Sequence, residues 1–368
     1  MKKKIRFLIN TLAGGGAEKV LVDLLNLLDA DRYEVSLVTM TGGVHVARLA
    51  AHIHYKCIVR TALPWLNRLL GKIVMKLPPA VFAGLFLRGE QDVEVAYLEG
   101  KPTRYMAAKK CKAAKKLAFV HYDLSAKNMI APLYKDSAEC LAEYSGFSKV
   151  CFVSQSAKQG FEAAIGQLEN GCVIHNINDY DRIRELASAA TEEEYQTNGL
   201  KVVTVGRLTA QKGYDRLLRM VADLEKRFSF ELWILGEGEE RAALEKLIAE
   251  RDIRCVKLLG YRENPYPLLK KADLFVCSSI FEGYSTAVTE ALALALPVIT
   301  TDCAGMDEIL EQGKHGMIVE NNEEALKAGL SGLFEDPEQM EKLRAAALAK
   351  SRVMTNEQAM REYTELFS

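Results

Sequence analysis

Leu274-Phe275-Val276-Cys277 is followed, after three residues, by Phe281-Glu282-Gly283-Tyr284-Ser285-Thr286-Ala287-Val288-Thr289-Glu290. A short apolar run, a glycine turn and an alanine- and leucine-rich stretch make the strand–turn–helix step of a parallel sheet. Gly283 permits the sharp turn, and Ser285 or Thr286 can cap the helix, whose free N–H groups can take a phosphate. Glu282 lies before the helix and Glu290 on its second turn. Because helical side chains lean toward the N-terminus, both carboxylates can address one ligand at the helix mouth.

The same alternation runs outward in both directions. Strands are predicted near 201–206, 229–235, 254–259, 273–277, 297–301 and 316–319, with helices near 213–227, 239–251, 285–295 and 322–350. Toward the N-terminus, strands near 4–9, 33–39, 92–98, 116–120, 149–153 and 172–175 alternate with helices near 17–29, 64–76, 101–111, 134–145 and 155–168. The expectation is an α/β chain with two doubly wound parallel sheets, one in 1–178 and one in 200–350. Residues 179–199, polar and acidic, read as a hinge, and 351–368 as a helical tail.

Ligands of such sheets bind beyond the carboxyl ends of the strands, so the residues after each strand carry the function. After the first strand of the second half comes Gly206-Arg207-Leu208-Thr209-Ala210-Gln211-Lys212-Gly213. Arg207 and Lys212 can clamp a diphosphate, one as a bidentate fork and the other as a point charge. After the first strand of the chain, Gly14, Gly15 and Gly16 open a helix and let backbone N–H groups approach an anion; the alternative is a plain tight turn. The dinucleotide fingerprint fails here, because position 19 is Lys19 rather than glycine. His121 follows the strand predicted at 116–120.

The 368 residues carry a net charge of -1. That balance hides an asymmetry: residues 1–178 hold 24 Lys and Arg against 15 Asp and Glu, and residues 179–368 hold 24 against 34. Opposed halves, with no zinc finger and no aromatic platform, argue against nucleic-acid binding. Eight cysteines without a Cys-x-x-Cys pair signal neither a disulfide framework nor a thiolate metal site, as expected of a reduced, cytoplasmic protein. The apolar run behind Lys2, Lys3 and Lys4 is broken by Arg6 and Asn10, unlike a signal peptide. No apolar stretch approaches the roughly 20 residues of a membrane helix.

The combination of G-G-G-A-E near the start, V-G-R-L-T-x-Q-K-G and E-G-x-S-x-x-x-x-E resembles the nucleotide-sugar glycosyltransferases of the GT-B fold, specifically the retaining family GT4. The resemblance covers nearly the whole chain. It implies two Rossmann-like domains facing each other across a cleft and transfer from a nucleoside-diphosphate sugar with retention, without a metal or other cofactor. It also implies that Arg207 and Lys212 hold the donor diphosphate, Glu282 contacts the sugar and Glu290 the ribose. Gly283, Tyr284, Ser285 and Thr286 then complete the donor pocket, the Gly14–Gly16 turn faces diphosphate or acceptor, and His121 touches donor sugar or acceptor. Ala96-Tyr97-Leu98-Glu99-Gly100-Lys101-Pro102-Thr103 resembles the branch that builds capsular and related surface polysaccharides. Asp29-Ala30-Asp31 and Asp179-Tyr180-Asp181 match a metal-binding string of other transferases, yet neither sits where a strand would present it to a nucleotide. A sugar-nucleotide epimerase of the same fold and a non-catalytic binding subunit are the alternatives.

From Val35 to Gly89 there is no Asp or Glu, while Arg48, Lys56, Arg60, Arg68, Lys72, Lys76 and Arg88 supply seven cations. Within it, Trp65, Leu66, Leu69, Leu70, Ile73 and Val74 form one helical stripe flanked by Arg68, Lys72 and Lys76. That is the pattern of a helix lying in an anionic membrane interface, the alternative being a core-facing helix with a basic rim. A second acid-free stretch, Gly100 to Tyr122, adds seven further cations. The expected partners are a nucleoside-diphosphate sugar, a lipid-linked or polysaccharide acceptor and the inner face of the cell membrane.

Overall fold

The computed structural model describes residues 2–61, 63–110, 115–125, 128–191 and 193–368, with the side chains of Pro64 and Arg68 excepted. Among the described residues thirteen strands form two sheets. The first holds β1 (Lys3–Ile9), β2 (Tyr33–Thr41), β3 (His54–Val59), β4 (Val93–Ala96), β5 (Lys115–Val120), β6 (Lys149–Phe152) and β7 (Gly171–Val173), in the order β3-β2-β1-β4-β5-β6-β7. The second holds β8 (Leu200–Val205), β9 (Phe230–Leu235), β10 (Val256–Gly260), β11 (Leu274–Cys277), β12 (Val298–Thr301) and β13 (Met317–Val319), in the order β10-β9-β8-β11-β12-β13. Every pairing is parallel. Central strands such as β9 and β11 are buried at every position, as apolar runs covered on both faces must be.

Both orders reverse direction once, between β1 and β4 and between β8 and β11. This is the doubly wound arrangement, in which the crevice at the reversal takes the ligand.

The chain divides into two units, Met1–Ile177 with Met360–Ser368, and Asn178–Ala359. Residues 179–199 are part of the second unit rather than a free linker. The helix Tyr180–Leu186 puts Tyr180 and Ile183 into that unit's core with Ala187, and Tyr195 stacks on Trp233 at 3.7 Å. The segment has few apolar residues, but three of them recur at helical spacing on one face. At the other end, the helix Asn356–Phe367 brings Phe367 against Phe7 at 5.8 Å in the first unit, and the Tyr363 hydroxyl donates to the His175 carbonyl at 3.0 Å.

Three further elements differ from expectation. Edge strand β3 buries only Val59, its other residues being exposed or half-buried, so its apolar signal is weak. A second helix, Pro79–Phe86, follows Pro64–Val74. The run 322–350 is two helices, Glu323–Glu335 and Pro337–Val353, because Pro337 cannot continue the first and Asp336 caps the second.

Candidate active site

In the second unit the site grows from the carboxyl ends of β8 and β11, the strands beside the reversal. Gly213 closes the loop after β8 in the left-handed region at φ 62°, and a Cβ there would lie 2.4 Å from the Ser278 carbonyl oxygen. The two loops are therefore in backbone contact, which only glycine permits. Ile280 N–H donates to the Gln211 carbonyl at 2.8 Å, Gln211 Nε2 donates to the Phe281 carbonyl at 2.9 Å, and Ser278 Oγ donates to the Lys212 carbonyl at 2.9 Å.

This scaffold brings Lys212 Nζ to Glu282 Oε1 at 2.5 Å, and Ser279 Oγ donates to the same oxygen at 2.6 Å. Burial alone would lower the Lys212 ammonium, but the Glu282 carboxylate outweighs it and holds the lysine charged well above its ordinary value. Both contacts go to Oε1, which leaves Oε2 for a ligand. Immediately behind, Ser285 is the N-cap of the helix Thr286–Ala293, yet its hydroxyl makes no capping bond. It is 2% exposed, and Oγ is buried without a hydrogen-bond partner among the described residues. An orphaned hydroxyl at the positive end of a helix, beside a lysine, is a place for an anion to complete the hydrogen bonding.

Arg207 is exposed and, among the described residues, no ion pair or hydrogen bond holds its side chain, so it does not join Lys212 in this structure. Gly283 is buried in the turn and Tyr284 half-buried against the core, while Thr286 is half-buried in the first helical turn. Glu290 is buried on the same helix, 4% exposed. Sequence reasoning missed Arg216. Its guanidinium, 9% exposed, donates to the Ser278 carbonyl from Nε at 2.9 Å and to the Ser279 carbonyl from Nη2 at 2.7 Å. It thereby shapes the loop that carries Ser279 and Glu282. The available signal was an arginine three residues into a helix that otherwise buries leucine and methionine.

In the first unit, Gly14 has φ 119°, Gly15 is the N-cap and Gly16 the first residue of the helix Gly16–Leu27. The turn is braced by the end of β2 and the loop after it: Asn10 O accepts from Met40 and Thr41, and Leu12 O accepts from His45 N–H at 3.2 Å. A Cβ at Gly43 would lie 2.1 Å from the Leu12 carbonyl, so glycine is required there too. His45, 7% exposed, is held neutral. Burial and then the charges of Arg48 and Lys19 push it down to about 4 against the partial opposition of Asp23, which pairs with Lys19 at 2.8 Å and Arg48 at 2.6 Å. His121 is 5% exposed directly after β5, its ring 5.0 Å from that of Tyr97.

The helix Pro64–Val74 leaves Trp65 63%, Leu69 49% and Ile73 53% exposed, with Lys72 and Lys76 exposed beside them. The Arg68 side chain lies outside the described residues. The core-facing side is instead Gly71, with Leu66, Leu70 and Val74 half-buried. The following helix, turned by 117°, adds exposed Val81 and Leu85. Among the described residues no single helix is long and apolar enough to cross a membrane.

The second acid-free stretch is not a free basic surface. Arg104 pairs with Glu139 at 2.9 Å, Lys109 with buried Glu94, and Lys116 donates to the Lys109 carbonyl, while Lys112 lies outside the described residues. Acids distant in sequence neutralise two of these cations, which local charge counting could not show. The two Asp-x-Asp strings have structural roles: Asp29 Oδ1 accepts from Asp31 N–H at 2.8 Å, and Asp179 Oδ1 accepts from Arg182 N–H at 3.1 Å as a helix cap.

A family model described as glycosyl transferases group 1 matches residues 189–350. The two doubly wound sheets give the chain the GT-B fold found in solved glycosyltransferases. Among curated relatives, the chain is 27% identical over 95% of its length, and 94% of the relative's, to a Campylobacter jejuni enzyme. That enzyme is named N-acetylgalactosamine-N,N'-diacetylbacillosaminyl-diphospho-undecaprenol 4-alpha-N-acetylgalactosaminyltransferase. It is 35% identical to an uncharacterized glycosyltransferase of Methanocaldococcus jannaschii, a match over 43% of this chain that spans only 40% of that relative's length. The fold is shared with HepE of Anabaena solved with UDP-glucose, at a TM-score of 0.75 and 22% identity, covering 99% of this chain and 98% of that one. WaaG, a glycosyltransferase of lipopolysaccharide biosynthesis, gives 0.70 at 14% identity over 99% of both chains.

Proposed function

We propose that this chain moves a sugar from a nucleoside-diphosphate sugar, with UDP-sugars favoured, to a hydroxyl of a lipid-linked or polysaccharide acceptor in surface glycan synthesis, retaining the anomeric configuration. The observation that carries the proposal is the junction of Lys212, Glu282 and the unsatisfied Ser285 hydroxyl at the N-terminus of Thr286–Ala293. Departure of a nucleoside diphosphate builds negative charge on its phosphate. A half-buried ammonium, a helix N-terminus and a free hydroxyl are fixed donors for that charge, and exposed Arg207 can close onto it. Glu282 Oε2 accepts from a sugar hydroxyl, and Glu290 holds the ribose.

In a front-face substitution the leaving phosphate takes the acceptor's proton, so no protein nucleophile is needed. The acceptor reading draws on the Campylobacter enzyme's name and on the Trp65, Leu69 and Ile73 stripe with Lys72 and Lys76, which suits peripheral attachment to an anionic membrane face. A thermal-shift screen of UDP, GDP, dTDP and their sugars tests the donor, since a ligand bound only by the native state raises apparent stability. Stabilisation by UDP-sugars is expected; no response to any nucleotide would end the proposal. Product analysis without an acceptor separates transfer from epimerisation.

A further inference from the structure

Glu99 and His121 leave adjacent parallel strands, β4 and β5, at their carboxyl ends, where Ala96 pairs with Ala118. The loop carrying Glu99 is pinned on both sides. Tyr97 N–H donates to the Leu8 carbonyl at 3.0 Å, Thr103 Oγ donates to the Leu98 carbonyl at 3.0 Å, and Gly100 has φ 88°. Glu99 Oε2 accepts the His121 backbone N–H at 3.0 Å, and the same oxygen lies 3.6 Å from His121 Nδ1. Glu99 is 7% exposed and His121 5%. Among the described residues neither imidazole nitrogen has a hydrogen-bond partner, although both are buried.

A buried imidazole with two unmet nitrogens is costly unless something supplies the bonds. A small ring rotation brings Nδ1–H onto Glu99 Oε2, since the backbone bond already fixes that oxygen. The ring nitrogens are distinct, and the one that keeps the proton is set by the partner of the other. We propose that Glu99 is the positioning residue for His121: it holds the proton on Nδ1 and leaves the Nε2 lone pair to accept a hydrogen bond from a substrate hydroxyl. A sugar or acceptor hydroxyl is the ligand this pair would take, which rests on the transferase reading above. The tautomer itself does not rest on it.

The test is the imidazole ¹⁵N spectrum of the full chain at a pH where the ring is neutral, with the His121 signals assigned by their loss in His121→Gln. Wild type is expected to show a protonated Nδ1 and an unprotonated Nε2. In Glu99→Ala that preference is lost, and turnover falls by roughly 10²-fold, the loss that a misplaced group can produce, with little change in donor KM. Glu99→Gln retains both, because its amide oxygen can accept the two N–H groups. A neutral wild-type His121 with its proton on Nε2, or an unchanged tautomer in a folded Glu99→Ala protein, would overturn the assignment. Absence of turnover with every donor would instead sink the transferase reading and leave the spectrum to decide this one.

Discussion

Lys212 and Glu282 stand 70 positions apart in sequence and meet at 2.5 Å, one from the loop after β8 and the other from the loop after β11. The pair spans the place where the second sheet reverses its winding, and both side chains are largely buried. Their contact therefore holds two loops together as well as setting the charge of the site.

That double role separates Lys212 from Arg207. Lys212→Ala leaves Glu282 buried without its cation, which costs roughly 3–5 kcal/mol. Arg207→Ala removes an exposed, unengaged side chain and should stay within about 0.5 kcal/mol of wild type. Each should lower turnover by roughly 10²-fold or more if both stabilise the leaving group. Denaturant melts of the single variants, and of Lys212→Ala combined with Glu282→Gln, measure the difference. The double variant should recover part of the loss.

The two glutamates of the first quoted stretch should separate by ligand. Glu290→Gln weakens binding of both free UDP and its sugar conjugate, whereas Glu282→Gln spares free UDP and damages transfer. Calorimetric titration of both variants against both ligands is the measurement. Equal effects on free UDP would contradict the assigned roles.

How much of this was legible follows from where the signals lie. Glu282, Gly283 and Ser285 fall in one contiguous stretch between an apolar strand and an apolar helix, so local pattern suffices. The Lys212–Glu282 contact was not legible, because strand order decides which loops become neighbours. Arg216 was missed since its role is to hold two backbone carbonyls, which no side-chain motif records. The basic run at 100–122 misled, because Glu94 and Glu139, which neutralise Lys109 and Arg104, lie outside it. The exposed apolar stripe of Trp65, Leu69 and Ile73 was visible as a periodicity, while its exposure had to come from the fold.

Lipid attachment should follow from that stripe. Binding to vesicles should rise with anionic lipid and fall with salt, each Lys or Arg near the surface adding about 1 kcal/mol. Changing Arg68, Lys72 and Lys76 together to Glu should abolish it. Because Leu69 is half exposed, Leu69→Asp should fold normally and lose only vesicle binding. A collapse of its melting temperature would contradict the surface role.

Acid should destabilise the first unit through His45. In the unfolded chain this histidine takes its proton near 6.5, and in the folded protein only at about 4. Between those values the unfolded state binds more protons, so this contribution to stability is complete above 6.5 and is lost as pH falls toward 4. The full span is worth about 3 kcal/mol. His45→Gln should flatten the dependence of folding stability on pH in that window, and an unchanged slope would show that His45 is not held neutral.

The central claim is most directly tested by incubating the protein with UDP-sugars and a polyprenyl-diphosphate-linked saccharide, then analysing the lipid fraction by mass spectrometry and the new linkage by NMR. The account predicts one added sugar, release of UDP and an anomeric configuration equal to that of the donor, all lost in Lys212→Ala. An inverted linkage would contradict retention. Conversion of the donor sugar without any added residue on the acceptor would contradict transfer itself.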